Sequence, residues 1–151
     1  MTALNIFDVA KYILESVGGN ISAIKLQKLC YYCQAWNLVW NNETPLFDNN
    51  FQAWRYGPVC KDLFDLHKGS FSINSSDIPN EKLSRSLNEN EIDTINKVMS
   101  YYGDKPAGWL VELSHNEMPW KSIREKYGIL PDGKCEAFIP NKIIYDYYSS
   151  I

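Results

Sequence analysis

Between Ser22 and Trp40 the chain cannot form a helix with one wet side. Leu26, Leu29, Cys30, Cys33, Trp36 and Trp40 fall on one helical stripe, and Ile24, Tyr31, Ala35 and Leu38 on another. Lys25, Lys28 and Asn37 are left for the polar parts. A helix that is apolar over most of its circumference must be covered on several sides. Ser22 is a suitable residue to cap it. The remaining elements are therefore expected to wrap around this helix, and the expected class is mainly α.

The flanking segments supply such elements. Asn5 to Gly18 reads as an amphipathic helix, capped by Asn5, with Asp8 near its positive end and Gly18-Gly19 as its stop. Pro45-Leu46-Phe47, an Asp48-Asn49-Asn50 turn and Phe51 to Tyr56 read as a small antiparallel hairpin. Pro58, after Gly57, suits the first residue of a helix that carries Val59, Leu63, Phe64 and His67. Residues 70–86 are polar and rich in Ser and Asn, and read as a long surface loop. Asn88 and Glu91 form a capping-box pattern that opens a helix to Tyr102. Further helices are expected after Pro106, after Pro119 and from Pro140 to Tyr148, with Leu130 to Ala137 irregular. The expectation is one compact helical domain around a central buried helix, with a small β-hairpin. The length of 151 residues suits a single domain.

Charge and motifs narrow the function. The net charge is −3, with fifteen basic and eighteen acidic residues. Nucleic-acid binders carry a basic excess or stripe, so nucleic acid is not the expected partner. The densest basic groups, Lys25/Lys28 and Lys121/Arg124/Lys126, read as solvated helix faces. No apolar run is long enough to span a membrane, and the N-terminus lacks the pattern of a secretory signal. A cytoplasmic location with reduced cysteines is expected.

Cys30-Tyr31-Tyr32-Cys33 is a C-x-x-C pair, but Cys30 lies two turns inside the helix among apolar neighbours, where a thiolate is disfavoured. Both thiols are expected to be buried, reduced and metal-free. Cys60 and His67 lie seven residues apart, too few ligands for structural zinc. The two histidines, His67 and His115, belong to no recognisable nucleophile motif. His115, at a helix junction, is expected to hydrogen-bond the backbone or a carboxylate. No catalytic residue, metal or cofactor is expected.

Five Trp, ten Tyr and six Phe remain to be accounted for. They serve a core or a binding surface, and composition alone does not choose. Trp and Tyr are also the usual anchors of protein interfaces. Trp40, Trp54, Arg55, Tyr56 and Trp120 are the candidate partner contacts.

Three blocks carry a family resemblance. Ile24 to Trp36 (IKLQKLCYYCQAW), Phe51 to Val59 (FQAWRYGPV) and Ser114 to Trp120 (SHNEMPW) stand in this order. Together with the opening helix they resemble the Panacea antitoxin domain, which SocA-like antitoxins and phage-associated GepA-like proteins carry. The matching residues include Lys25, Leu26, Gln27, Lys28, Leu29, Tyr31, Tyr32, Trp54, Gly57, Pro58, Val59 and His115. The resemblance implies a mostly helical fold and neutralisation of a cognate toxin, encoded nearby, by direct protein contact. It does not name the toxin. It leaves residues 70–86 or the C-terminal tail as places for variable contacts. A winged-helix-like DNA-binding regulator is the alternative, disfavoured by the acidic balance, and an unrecognised hydrolase lacks a motif.

Overall fold

In the computed structural model, which describes residues 3–151, the chain opens with α1, Ile6–Val17. Asn5 and Asp8 form a reciprocal capping box, and Gly18 ends the helix at φ 77°. β1, Ile21–Ser22, leads into α2, Ala23–Trp40, where the Ser22 hydroxyl accepts the Lys25 N–H at 3.1 Å. β2, Phe51–Trp54, and β3, Gly57–Val59, form a hairpin. Then follow α3, Lys61–His67; β4, Ser72–Ile73; α4, Glu89–Tyr102; α5, Ala107–Asn116; α6, Met118–Lys126; β5, Phe138–Ile139; and α7, Asn141–Tyr148.

The fold is mainly α, as expected. α2 packs against α1, α4, α5, α7 and β3. Leu26, Leu29, Cys30, Tyr32 and Cys33 have no exposed surface. β2 is the middle strand of a three-stranded antiparallel sheet, between β3 and β5, while β1 pairs with β4.

Three local expectations are corrected. Residues 45–47 do not pair with β2. Phe47 instead makes a parallel bridge to Leu4, and the buried Gln34 holds the segment, accepting from Leu46 N at 2.7 Å and donating to Phe47 O at 2.8 Å.

Pro58 does not begin a helix but lies in β3, opposite Ala53. Ala53 sends its N–H to Ala137 O and its carbonyl to Arg124. The Ala53–Pro58 pair is thus not hydrogen-bonded, so the missing proline N–H costs the ladder nothing. The Gln27 amide then clamps Cys60, accepting its N–H at 2.9 Å and donating to its carbonyl at 3.1 Å. Cys60 is thereby fixed as the cap, and α3 starts at Lys61.

Residues 70–86 are not a free loop. They contain β4 and two short 3-10 turns, with Ile73 and Ile78 buried. Lys11 Nζ donates to the carbonyls of Ser75 (2.7 Å) and Ile78 (3.0 Å). The carboxylate of Asp8, itself 2% exposed, accepts the Ser84 N–H at 2.9 Å and the Ser84 hydroxyl. One side chain therefore caps α1 and ties down a segment 76 residues away. Asp8→Ala is expected to cost about 2–3 kcal/mol, from a lost cap and orphaned donors. The melting temperature should fall by about 5–10 °C, with new protease cleavage within 70–86. Wild-type melting of the variant would show that this carboxylate does not hold the segment.

Candidate functional site

Arg55 and Tyr56 form the two-residue turn of the β2–β3 hairpin, and both side chains are exposed. Their Arg55 Cζ-to-ring distance is 5.1 Å, within cation–π range. The backbone behind them is held from several sides. Trp120 Nε1 donates to Trp54 O at 2.6 Å. Arg124 donates to Ala53 O at 2.9 Å, and its other nitrogen to Leu130 O at 2.9 Å and to Gly133 O. Lys28 Nζ donates to Pro58 O at 3.0 Å. The His115 ring stacks on Trp120 at 4.1 Å, and the Arg124 guanidinium lies 4.9 Å from the Trp120 ring centre.

Gly57 makes this bracing sterically possible. Its φ is +109°, and a Cβ there would meet Lys28 Cε and Ser114 Oγ at 2.7 Å. The lysine arm and α5 thus pass directly beneath the turn. The result is a preorganised tip, two exposed side chains on a backbone that cannot yield. Preorganisation of this kind lowers the ordering cost of binding.

Beside the tip lies a groove of about 710 Å³ between the hairpin, α2 and α3. Trp54, Phe64, Tyr56 and Ile24 supply its apolar wall. Trp54 is half-buried, packs edge-on against Phe64 at 4.8 Å and donates from Nε1 to Gln52 at 2.6 Å. His67 faces the groove and lies 3.0 Å from Gln27 Nε2. Burial lowers the His67 pKa. The Gln27 amide nitrogen can only donate, so His67 Nε2 accepts from it, with the ring proton on Nδ1. Burial raises the Cys60 thiol to about 11, away from nucleophile chemistry.

The signature blocks meet in space. His115 and Glu117 flank the start of α6. Tyr32 and Tyr148 both donate to Glu117 Oε1 at 2.7 Å. The single Tyr148 proton is committed there, so the Tyr31 hydroxyl, 3.2 Å away, donates to Tyr148. Burial raises the Glu117 pKa, opposed by the two tyrosine hydrogen bonds. Burial likewise raises Tyr31 and Tyr32. This cluster joins α2, α6 and α7 in the interior. His115 Nε2 is buried without a partner, and desolvation lowers its pKa, assisted by the nearby Lys28 and Arg124 charges. The ring stacks on Trp120 and also makes a backbone hydrogen bond at Arg55, as expected of it, which opposes the lowering.

Trp120 is corrected from contact to core: it is 7% exposed and works through the hairpin backbone. Trp40 is 45% exposed but stacks on Trp36 at the far end of α2. At 1.5 Å rise per residue it sits roughly 18 Å along the axis from Lys28. Lys28 and Arg124, expected on solvated faces, are 1% and 3% exposed. Lys25 stays half-exposed, whereas Leu26, Leu29, Pro58 and Val59 are buried. Cys30 and Cys33 are fully buried free cysteines, and burial raises both thiols. Among the described residues no cluster of three or more His, Cys, Asp or Glu is placed to hold a metal, and no helix is long and apolar enough to cross a membrane.

Burial pulls the Lys28 pKa from 10.5 down to about 7. The unfolded chain thus binds more protons between those values, and stability rises with pH across that window. The cost of charging the folded-state amine is present in full below about pH 7 and absent above 10.5. Lys28→Met removes this cost. The stability difference between variant and wild type should shrink by about 1 kcal/mol per pH unit from about pH 8 to 10. Urea melts across that range measure it, and a difference independent of pH would contradict the buried amine.

No curated protein and no solved structure matches the chain. The family model described as antitoxin SocA-like, Panacea domain, matches residues 26–121. That span runs from α2 through the hairpin to Lys121, and so includes Lys28, the Arg55–Tyr56 tip, His115, Glu117 and Trp120. With well over half of its length matched, the chain belongs to the SocA-like antitoxin family and carries its Panacea domain.

Proposed function

We propose that this protein neutralises one cognate toxin in the cytoplasm by forming a stoichiometric complex with it, acting by contact and not by catalysis. The hairpin tip and adjoining groove are the contact face. The observation that supports this is the direction of the signature residues. Lys28, Gly57 and Trp120 spend their polar groups or their shape on the backbone behind Arg55 and Tyr56, and Arg124, beyond the matched span, adds a bond to Ala53 O. An exposed Arg–Tyr pair on a fixed turn has the composition of an interface anchor. Arg124 is occupied with main-chain carbonyls, which removes it from any phosphate-facing surface.

The reading is tested by co-expressing the chain with the product of the neighbouring gene. Growth should be rescued only as the chain approaches equimolar amounts, and the pair should co-purify at a fixed ratio. A stable complex of this type buries about 1,200–2,000 Å². Rescue at far below one copy per toxin, or rescue with no complex, would overturn the binding mechanism.

A further inference from the structure

Lys28 is a buried amine that has no counter-ion when it is protonated. Its side chain is 1% exposed, and its ammonium has three protons for one acceptor, Pro58 O at 3.0 Å. Buried charges in proteins are ordinarily paired. Among the described residues no carboxylate forms an ion pair with it. Yet Lys28 also lines the groove beside the hairpin tip.

The groove has the charge of a carboxylate receptor. Arg55, Lys61, Lys68 and Lys134 line it with Lys28, against Asp65, Asp132 and Glu136. Lys61 is held by Asp65 at 3.0 Å, and Lys134 lies 3.9 Å from Glu136. The local balance is positive in a chain whose net charge is −3. Beside these charges stand Trp54, Phe64 and the exposed face of Ile24.

We propose that this groove receives an Asp or Glu side chain of the bound partner protein, flanked by apolar residues, whose carboxylate becomes the counter-ion of Lys28. The inference rests on the hairpin face being the partner contact, and it specifies the chemistry of what docks there. A carboxylate supplies the acceptors that the ammonium lacks, and such charge-assisted bonds are stronger than neutral ones. Its apolar neighbours cover Trp54 and Phe64. Gly57 is part of the site: a Cβ there would lie 3.2 Å from Lys28 Nζ, in the space the amine uses. A partner segment with a neutral or basic residue at this point leaves the cation unpaired, so the groove discriminates as well as attracts.

The test uses two small probes, 3-phenylpropanoate and its neutral isostere 3-phenylpropanamide. Each is titrated into the full chain while the Lys28 Cε–H and Trp54 indole resonances are followed by NMR. The carboxylate should saturate both signals and bind about tenfold more tightly than the amide. Lys28→Gln, which keeps a donor for Pro58 O but no charge, should bring the two probes to within about twofold. Lys28→Met should do the same, and a melt of each variant confirms that it is folded. Equal affinities in the wild type, or a carboxylate preference that survives both variants, overturns the proposal. The cognate complex separates this failure from that of neutralisation. A toxin bound as tightly by Lys28→Gln as by wild type removes the counter-ion role and leaves neutralisation standing. A carboxylate preference in a wild-type chain that binds no neighbouring gene product keeps the receptor site and overturns only neutralisation.

Discussion

Gly57→Val is expected to leave little folded protein. At φ +109° a β-branched residue is a steric outlier, which costs on the order of 1–3 kcal/mol. The new Cβ would also meet Lys28 Cε and Ser114 Oγ at 2.7 Å. Relieving that overlap shifts either α2's lysine arm or α5, at about 1–3 kcal/mol more. The sum, about 2–6 kcal/mol, is a large part of the 5–15 kcal/mol typical of a whole domain. Gly57→Ala should follow in severity, since its methyl meets the same two atoms. Pro58→Ala should cost less than about 1 kcal/mol, because the restored N–H faces away from the ladder and the Pro58 carbonyl remains available to Lys28. Urea melts of the three variants give the ranking. A Gly57→Val protein that melts within about 1 kcal/mol of wild type would show that the turn relaxes and that the tip is not held rigid.

The parts of this fold that sequence reveals are those decided within a few residues. Asn5, Ser22 and Asn88 cap helices by bonds to N–H groups three residues on. Gly18 adopts its left-handed cap because its own φ allows it. The all-round apolar pattern of α2 was enough to predict its burial. What stayed hidden depends on partners far along the chain. Pro58 reads as a helix start until Gln27, 33 residues before Cys60, fixes the cap two residues later. Residues 70–86 read as a loop because nothing local shows that Ser84 reaches Asp8. Lys28 and Arg124 read as solvated because charged residues usually are. A weak signal was present in each case. Lys28 interrupts an otherwise buried helix, and Arg124 is four residues after Trp120, on the same helical face. The residues of the proposed contact tip, Trp54, Arg55 and Tyr56, stand out in the sequence as aromatic and arginine anchors. The groove beside them does not, since it is assembled from α2, α3, the hairpin and the segment before β5.

Arg55→Ala and Tyr56→Ala should each weaken the toxin complex by about 10- to 100-fold and leave unfolding unchanged to within about 0.5 kcal/mol. Both side chains are exposed, and among the described residues neither makes a side-chain hydrogen bond or ion pair beyond their mutual cation–π contact. Their loss is therefore felt only when a partner covers them. Trp120→Ala should behave differently. It removes a ring stacked on His115, beside the Arg124 guanidinium, and the donor that holds Trp54 O. A cavity of that size costs about 3–5 kcal/mol, so stability and binding should fall together. Trp40→Ala completes the comparison. That ring is as large and nearly as exposed as Tyr56, but it lies with Lys97 at the other end of α2. Its removal should alter neither affinity nor, by more than about 1 kcal/mol, stability. Affinity from calorimetry of the co-purified pair, set against urea melts of the free chain, places each variant on the two axes. Full affinity in the Arg55/Tyr56 double alanine would move the contact face off the hairpin. Lost affinity in Trp40→Ala alone would place it on the aromatic surface between α2 and α4.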